Sequence, residues 1–349
     1  MDGIGEGVPS LCPTYLFRIL SILEGKGPEM PDRDKRTQVD RFHSLPCLVT
    51  LSILLLGILL PENSSLVADE PAKPLTAAQI FDQVIAKYQA MPSYQSTGSV
   101  ESEIVTGNNK IHTHTSFSMR LKKPNQYLIR WTQKNMPDSN TQQQGAVWND
   151  GEQAYLFIGA MQAYGKMGSD EMALGGAMGI SGGCVYNIPA LYLSIFKNQP
   201  HPFARLQEPK IETSEKVGVD PCYVISGAST ISKKETFWIS KSRSLVLKYC
   251  RSLEPPEGGV IIPEITDQQV AEALQGLGQA VTAESMKKMR AMMEKSKALF
   301  ETAQMKGSMT ELHENISSPV LKKEDFQFKI PAGTELNESL LSGMLGGKK

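Results

Sequence analysis

Apolar residues along this chain recur with two different periods, and the switches between them mark out its parts. From Thr76 onward, Ile80, Val84, Tyr88 and Met91 repeat at helical spacing, and Pro92 stops the run. Thr76 and Gln79 stand at capping-box distance ahead of them. The pattern predicts an amphipathic helix that must lay one face against a partner. Beyond it every second residue becomes apolar: Phe117, Met119 and Leu121, then Tyr127, Ile129 and Trp131. Pro124-Asn125 marks the turn between the two sets. Val147-Trp148, the turn Asn149-Asp150-Gly151 and Ala154–Ile158 read as a hairpin. Further strands are expected at 94–105, 210–217, 222–227, 234–240, 244–253, 312–317 and 326–330.

Two stretches interrupt the alternation. Residues 159–183 are rich in Gly and Met and precede a helix-like piece at 191–196, together a candidate lid. Residues 264–306 are helical in composition, with Met286, Met289, Met293 and Phe300 on one face. Lys287, Lys288, Arg290, Lys295 and Lys297 form a basic face opposite. Over 286–300 this reads either as a contact with an anionic membrane surface or as a plain solvated face. The fold class that follows is α+β: one antiparallel sheet, an N-terminal helix, a helical lid and a helical insertion.

The longest apolar run, residues 45–60, is of another kind. It follows a lead containing Arg33, Lys35, Arg36 and Arg41, and a small residue, Ala68, closes the segment after it. Charged lead, apolar middle and small-residue exit describe a secretory signal. The run is shorter than the roughly 20 residues that span a bilayer comfortably, so a cleaved signal is expected, with an uncleaved anchor as the alternative. Met1 and Met30 both offer a start. The expected organisation is a leader over 1–68, one domain over 69–336 interrupted at 264–306, and a flexible tail over 337–349. Export places the product in the periplasm or cell envelope.

Composition narrows the function. The 349 residues carry 36 basic and 37 acidic side chains, which argues against a nucleic-acid footprint. Cys184, Cys222 and Cys250 lie beyond the leader. One disulfide, Cys222 with Cys250 if their strands are neighbours, and three free thiols are equally open. His112 and His114 share one side of a strand, but with no Cys or carboxylate at matching spacing a solvated face is expected and no metal. His201 and His313 are isolated, and no nucleophile-elbow pattern occurs, so no enzyme and no cofactor are expected. The glycines of LGGAMGISGG lack the Lys-Ser or Lys-Thr of a phosphate loop.

The segments FSMRLKKPNQYLIRW at 117–131, GAVWNDGEQAYLFI at 145–158 and FQFKIPAGTEL at 326–336 resemble the LolA/LolB/RseB-like outer-membrane lipoprotein-sorting group. That resemblance implies an open, curved antiparallel sheet, an unclosed barrel whose concave face lies under a helical lid and holds acyl chains. It implies a lipid or an acylated lipoprotein as partner, with an RseB-like signalling or protein-interaction module as the alternative. Phe117, Met119, Leu121, Tyr127, Ile129, Trp131, Tyr155 and Phe157 read either as the wall of such a cavity or as ordinary core packed under a helix. The group's lid-bonding arginine matches Lys123, which lacks the planar five-donor fork, so a looser latch is expected there.

Overall fold

The computed structural model describes residues 74–106, 109–136, 142–195, 201–256, 264–276, 280–302, 305–337 and 340. The expected leader at 1–68 and nearly all of the expected tail lie outside them. The fold is α+β, built on an open, curved sheet of 13 strands ordered β13-β6-β5-β4-β3-β2-β1-β12-β11-β10-β9-β7, with β8 pairing β9. Every pairing is antiparallel except that of β13 (Glu335–Leu336) with β6 (Ala163–Lys166).

Helix α1 (Ala77–Ala90) begins where the sequence puts it: Thr76 and Gln79 cap each other reciprocally, and Ile80, Val84 and Tyr88 are buried. Strands β1 (Ser93–Thr106), β2 (Asn109–Lys122), β3 (Gln126–Met136), β4 (Gln142–Asn149) and β5 (Ala154–Ile158) form a meander. Its register sets Phe117 beside Trp131, Met119 beside Ile129 and Leu121 beside Tyr127. Strand parity then puts these six residues on one face, the inner one. Residues 159–183 hold β6 and helix α2 (Asp170–Ile180); helix α3 (Asn187–Tyr192) follows. Both helices cover the inner face, α2 over β4 and β5 and α3 against α1.

The second half of the sheet is β7 (Gln207–Ile211), β8 (Glu215–Val217), β9 (Asp220–Ser229), β10 (Ser232–Ser240), β11 (Val246–Ser252) and β12 (Met305–Ser317). β12 returns beside β1 and joins the halves. The 264–306 segment is a pair of helices, α4 (Asp267–Gly276) and α5 (Ala283–Thr302). Ile265, Val270, Leu274, Met289 and Met293 make a small core of their own. The methionine stripe is thus spent on α4, and Arg290 is spent on the Ile265 carbonyl and Asp267. Of the named basic residues whose side chains are described, Lys287 and Lys288 are exposed and Arg290 is half-buried.

One expectation needs correction here, and one open alternative closes. Residues 326–330 are not a ladder strand. They extend across the outer face, where Phe326, Phe328 and Ile330 pack with Leu128, Trp148 and Phe157. Cys222 and Cys250 are free, because β10 lies between their strands.

Candidate functional site

The inner face has two chemically distinct halves. On β2 to β5 it is an apolar wall of Phe117, Met119, Leu121, Tyr127, Ile129, Trp131, Val147 and Leu156, all within one buried cluster. Two of its rings lie over glycines. A Cβ on Gly98 would collide with Phe117, and one on Gly145 with the Trp131 indole, so each ring takes space that any other residue would close. Tyr155 and Phe157, expected on this wall, point the other way. They pair with Trp148 and Ala146 and belong to the outer cluster beneath the C-terminal segment. The inner positions of β5 are Ala154, Leu156 and Ile158.

The cover of this wall is made of small groups. In α2, six consecutive residues from Ala173 to Met178 are buried, and three of them are Gly or Ala besides Ala173 itself. A helix apolar all round has little to orient it, and polar pins at its start do so instead. Ser169 caps it, accepting from the Met172 N–H at 3.2 Å. Asp170 accepts from the Tyr127 hydroxyl at 2.9 Å, Asn149 Nδ2 at 2.6 Å and Asn125 Nδ2 at 3.4 Å. Burial, and after it the Asp170 charge, hold the Tyr127 phenol well above its ordinary pKa.

Lys123 joins three elements. Its Nζ donates to the Tyr88 and Gln89 carbonyls at 3.1 and 2.6 Å, capping the C-terminal end of α1. The same ammonium stands 4.7 Å from the centre of the Tyr192 ring on α3. It therefore touches the lid through a ring face, with its hydrogen bonds given to α1. Desolvation lowers its pKa.

On β10 to β12 the same inner face is buried and charged. Glu235 Oε2 accepts from Arg205 Nε at 3.0 Å, Arg205 Nη2 at 2.8 Å and the Tyr249 hydroxyl at 2.6 Å. Asn187, at the start of α3, donates to Glu311 Oε2 at 2.7 Å. His313 Nε2 lies 2.9 Å from Glu311 Oε1, while its Nδ1 is 3.4 Å from both the Tyr94 hydroxyl and Ser96 Oγ. Burial opposes the Arg205 charge, but Glu235, Tyr249 and Tyr186 outweigh it and raise the guanidinium pKa. Phe203, two residues from Arg205, stacks on Phe81 of α1 at 4.3 Å and meets Phe237 edge-on at 5.0 Å. The segment after α3 is thus fastened by a ring and an ion pair together.

The sequence reading missed this polar half entirely and took His313 as isolated. The alternation of β12 misleads here, because Glu311 and His313 are buried while Leu312 between them is only half-buried. His201 caps the turn Pro202–Arg205 by accepting from the Ala204 N–H at 3.3 Å. His112 and His114 both reach Glu101 on β1, a cross-strand carboxylate that sequence spacing does not reveal. Among the described residues, no group of three or more His, Cys, Asp or Glu side chains converges to hold a metal ion. None of the described helices is long and apolar enough to cross a membrane.

No family model and no curated protein matches the chain. Solved structures of similar shape do exist. They include the lipoprotein LppX of Mycobacterium tuberculosis, 9% identical with a TM-score of 0.33, the match covering 69% of this chain and 95% of that one. An outer membrane lipoprotein-sorting protein domain from Vibrio parahaemolyticus is 9% identical with a TM-score of 0.29, covering 71% and 94%. A LolA superfamily protein from Nitrosomonas europaea is 9% identical with a TM-score of 0.25, covering 73% and 99%. The last two names fall in the group that residues 117–131 and 145–158 resemble. At such TM-scores the likeness carries no argument about function, which must come from the chain's own geometry.

Proposed function

We propose that the chain is an exported envelope protein that binds the acyl chains of a lipid or lipoprotein between the inner apolar wall and the α2–α3 cover. The observation that supports this reading is the mismatch between wall and cover. The wall of β2 to β5 carries eight apolar side chains, while α2, which covers its β4–β5 end, buries mostly Gly and Ala. Such a cover gains little from shape and is oriented by hydrogen bonds at its rim. A flexible hydrocarbon offers the wall the same chemistry at about 25 cal/mol per Å² buried, with no polar group to satisfy. Uncovered, a wall of this size would not stay exposed in water. Binding therefore exchanges one apolar cover for another.

Native mass spectrometry with lipid extraction, on protein purified from the envelope fraction, tests the proposal. A bound acyl species, displaced by added fatty acid, is the expected result. Protein that carries no lipid and takes up no fluorescent fatty acid, even with 169–183 deleted, would refute it. N-terminal sequencing of the same material tests export: a start near Asp69 is expected, and an intact 45–60 run indicates an anchor.

One observation favours the second reading, a protein-interaction module. The α4–α5 pair has a small core separate from that of the sheet and carries exposed Lys287 and Lys288. Removing residues 264–302 should leave lipid capture intact if the pair serves a partner protein.

A further inference from the structure

The outer face of the sheet, on the side away from α2 and α3, carries a recess of its own, roofed by the C-terminal segment. That segment is fastened first through buried Leu321 and Phe326. Lys122 Nζ donates to the Leu321 carbonyl at 2.9 Å, and Arg120 Nη1 to the Asp325 carbonyl at 3.2 Å. It is fastened again at β13, where the Glu335 N–H donates to the Gln162 carbonyl at 3.0 Å and the Asn337 N–H to the Tyr164 carbonyl at 2.8 Å. Between the two anchors the chain turns over 331–334, with Gly333 at a φ of +78°. A cavity of about 330 Å³ lies between this span and the sheet.

Both walls of the cavity are apolar. The sheet supplies Trp148, Tyr155 and Tyr164, and the segment supplies Phe328, Ile330 and Leu336. Trp148 stacks on Tyr155 at 5.2 Å with the planes 13° apart, and Phe328 leans on Trp148 at 5.0 Å. β5 lies between β4 and β6. With one face of its ring on Trp148, Tyr155 therefore turns the other toward Lys166, its pair on β6. Tyr155, Tyr164, Phe328 and Ile330 are half-buried and Leu336 is 49% exposed, so these side chains are not used up in core packing. Protein interiors close-pack, whereas a gap of this size lined by rings falls at the lower end of small-molecule sites, about 300–1,000 Å³.

The rest of the lining is Asp150, Lys166 and Gln327. Asp150 is already matched, because Lys323 stands 3.7 Å from it and also holds Glu152. Lys166 is exposed and has no ion-pair or hydrogen-bond partner among the described residues. One cation is left over at the rim. We propose that the recess binds an aromatic carboxylate, its ring between the two apolar walls and its carboxylate on Lys166. A cationic ligand is repelled by the same lysine. A sugar would press hydroxyls against Ile330, Leu336 and the ring faces with nothing there to pair them. A planar aromatic ring needs no such partner, and its positive edge and negative face suit offset or edge-on contact with Tyr155, Tyr164 and Phe328. This site lies across the sheet from the acyl-binding wall and does not depend on it.

Calorimetry on the full chain tests this. The probes are naphthoate, its neutral amide, its saturated decalin analogue and methyl glucuronide, and naphthoate should bind best. Lys166→Met should weaken naphthoate about fivefold, the scale of an exposed ion pair, and leave the amide unchanged. Leu336→Asp puts a carboxylate into one apolar wall at an exposed position. It should weaken both naphthoate and the amide while the melting temperature holds. Added oleate should not compete. A wild-type chain that binds no naphthoate overturns the proposal and leaves the acyl-binding reading untouched. Equal binding of the decalin acid overturns it by removing the need for an aromatic ring, and a preference for the glucuronide by making the ligand a sugar. Naphthoate affinity unchanged in either variant overturns it as well, and displacement of naphthoate by oleate moves the ligand to the inner face.

Discussion

On β2 to β5 the inner face presents Phe117, Met119, Ile129, Trp131 and Leu156, whereas on β10 to β12 it presents Glu235, Tyr249, Glu311 and His313. Both halves are buried, the first beneath α2 and the second against Asn187 and Arg205. The apolar half places no demand on its cover beyond exclusion of water, so another apolar body can replace it. The polar half demands named partners at fixed distances, and a cover that leaves it exposes or orphans charges. Buried ion pairs add little net stability, but they penalise every arrangement that separates them. The polar half therefore fixes the Asn187–Arg205 end of the cover, Asp170 at the rim pins its start, and the apolar wall decides what may share the space between.

The largest effect expected follows from breaking that pairing. Glu235→Gln leaves the Arg205 guanidinium buried without its carboxylate, and should cost about 3–5 kcal/mol by thermal or urea unfolding. Replacing both partners, Arg205→Met with Glu235→Leu, should recover most of the loss. A neutral single variant would show that the polar half does not hold the cover.

Much of the apolar half was legible in the sequence, because a strand buried on one face advertises its parity. Phe117 to Leu121 and Tyr127 to Trp131 are paired as the alternation predicts, and the Thr76–Gln79 box starts α1. Legibility failed where a second layer covers the outer face. The extended segment through Phe326 and Phe328 buries Tyr155 and Phe157 there, so large aromatic residues stand on the side opposite the wall. The rule of apolar-in and polar-out inverts on β12, where burial of Glu311 and His313 is sustained by Asn187, 124 positions away. No local pattern encodes a partner at that distance. The outward alternation of 326–330 was also real, but its backbone lies across the sheet and not within its ladder.

A smaller effect is expected at the rim of the apolar half. Asp170→Ala removes the acceptor shared by Tyr127, Asn149 and Asn125. Bonds to an ionised group contribute about 1.5–3 kcal/mol, so the cover should open more often. A hydrophobic dye should then bind the variant more strongly than wild type, with the polar half still folded. Equal dye binding would place the hinge elsewhere. Gly145→Ala acts on the wall itself by driving a Cβ into the Trp131 indole. Overpacking of this kind costs about 1–3 kcal/mol and should shift tryptophan emission. If the emission and melting temperature stay unchanged, the ring does not rest on that glycine.

The smallest effect expected is at Lys123, which belongs to neither half and links α1 with α3. Lys123→Met keeps the aliphatic stem and removes the charge, losing the bonds to the Tyr88 and Gln89 carbonyls and the contact with the Tyr192 ring. A charge at a helix C-terminus is worth about 0.3–1 kcal/mol, and desolvation of the part-buried ammonium offsets some of it, so the melting temperature should fall only slightly. The pH dependence is more diagnostic. Burial lowers the Lys123 pKa in the folded chain, so above that value the unfolded chain binds the extra proton. Stability linked to this group therefore rises with pH across the alkaline window below the lysine's ordinary pKa of 10.5, and is flat at neutral pH. Burial of Tyr88, Tyr94, Tyr127 and Tyr249 raises their pKa values and works in the opposite direction, so wild type alone cannot isolate the contribution. The difference between wild type and Lys123→Met can, because the tyrosines cancel. That difference should be small and constant near neutrality and should shift toward the variant as pH falls through the window. A difference independent of pH over the whole range would mean that Lys123 keeps an ordinary pKa, and that its ammonium stays in water instead of against α1 and the Tyr192 ring.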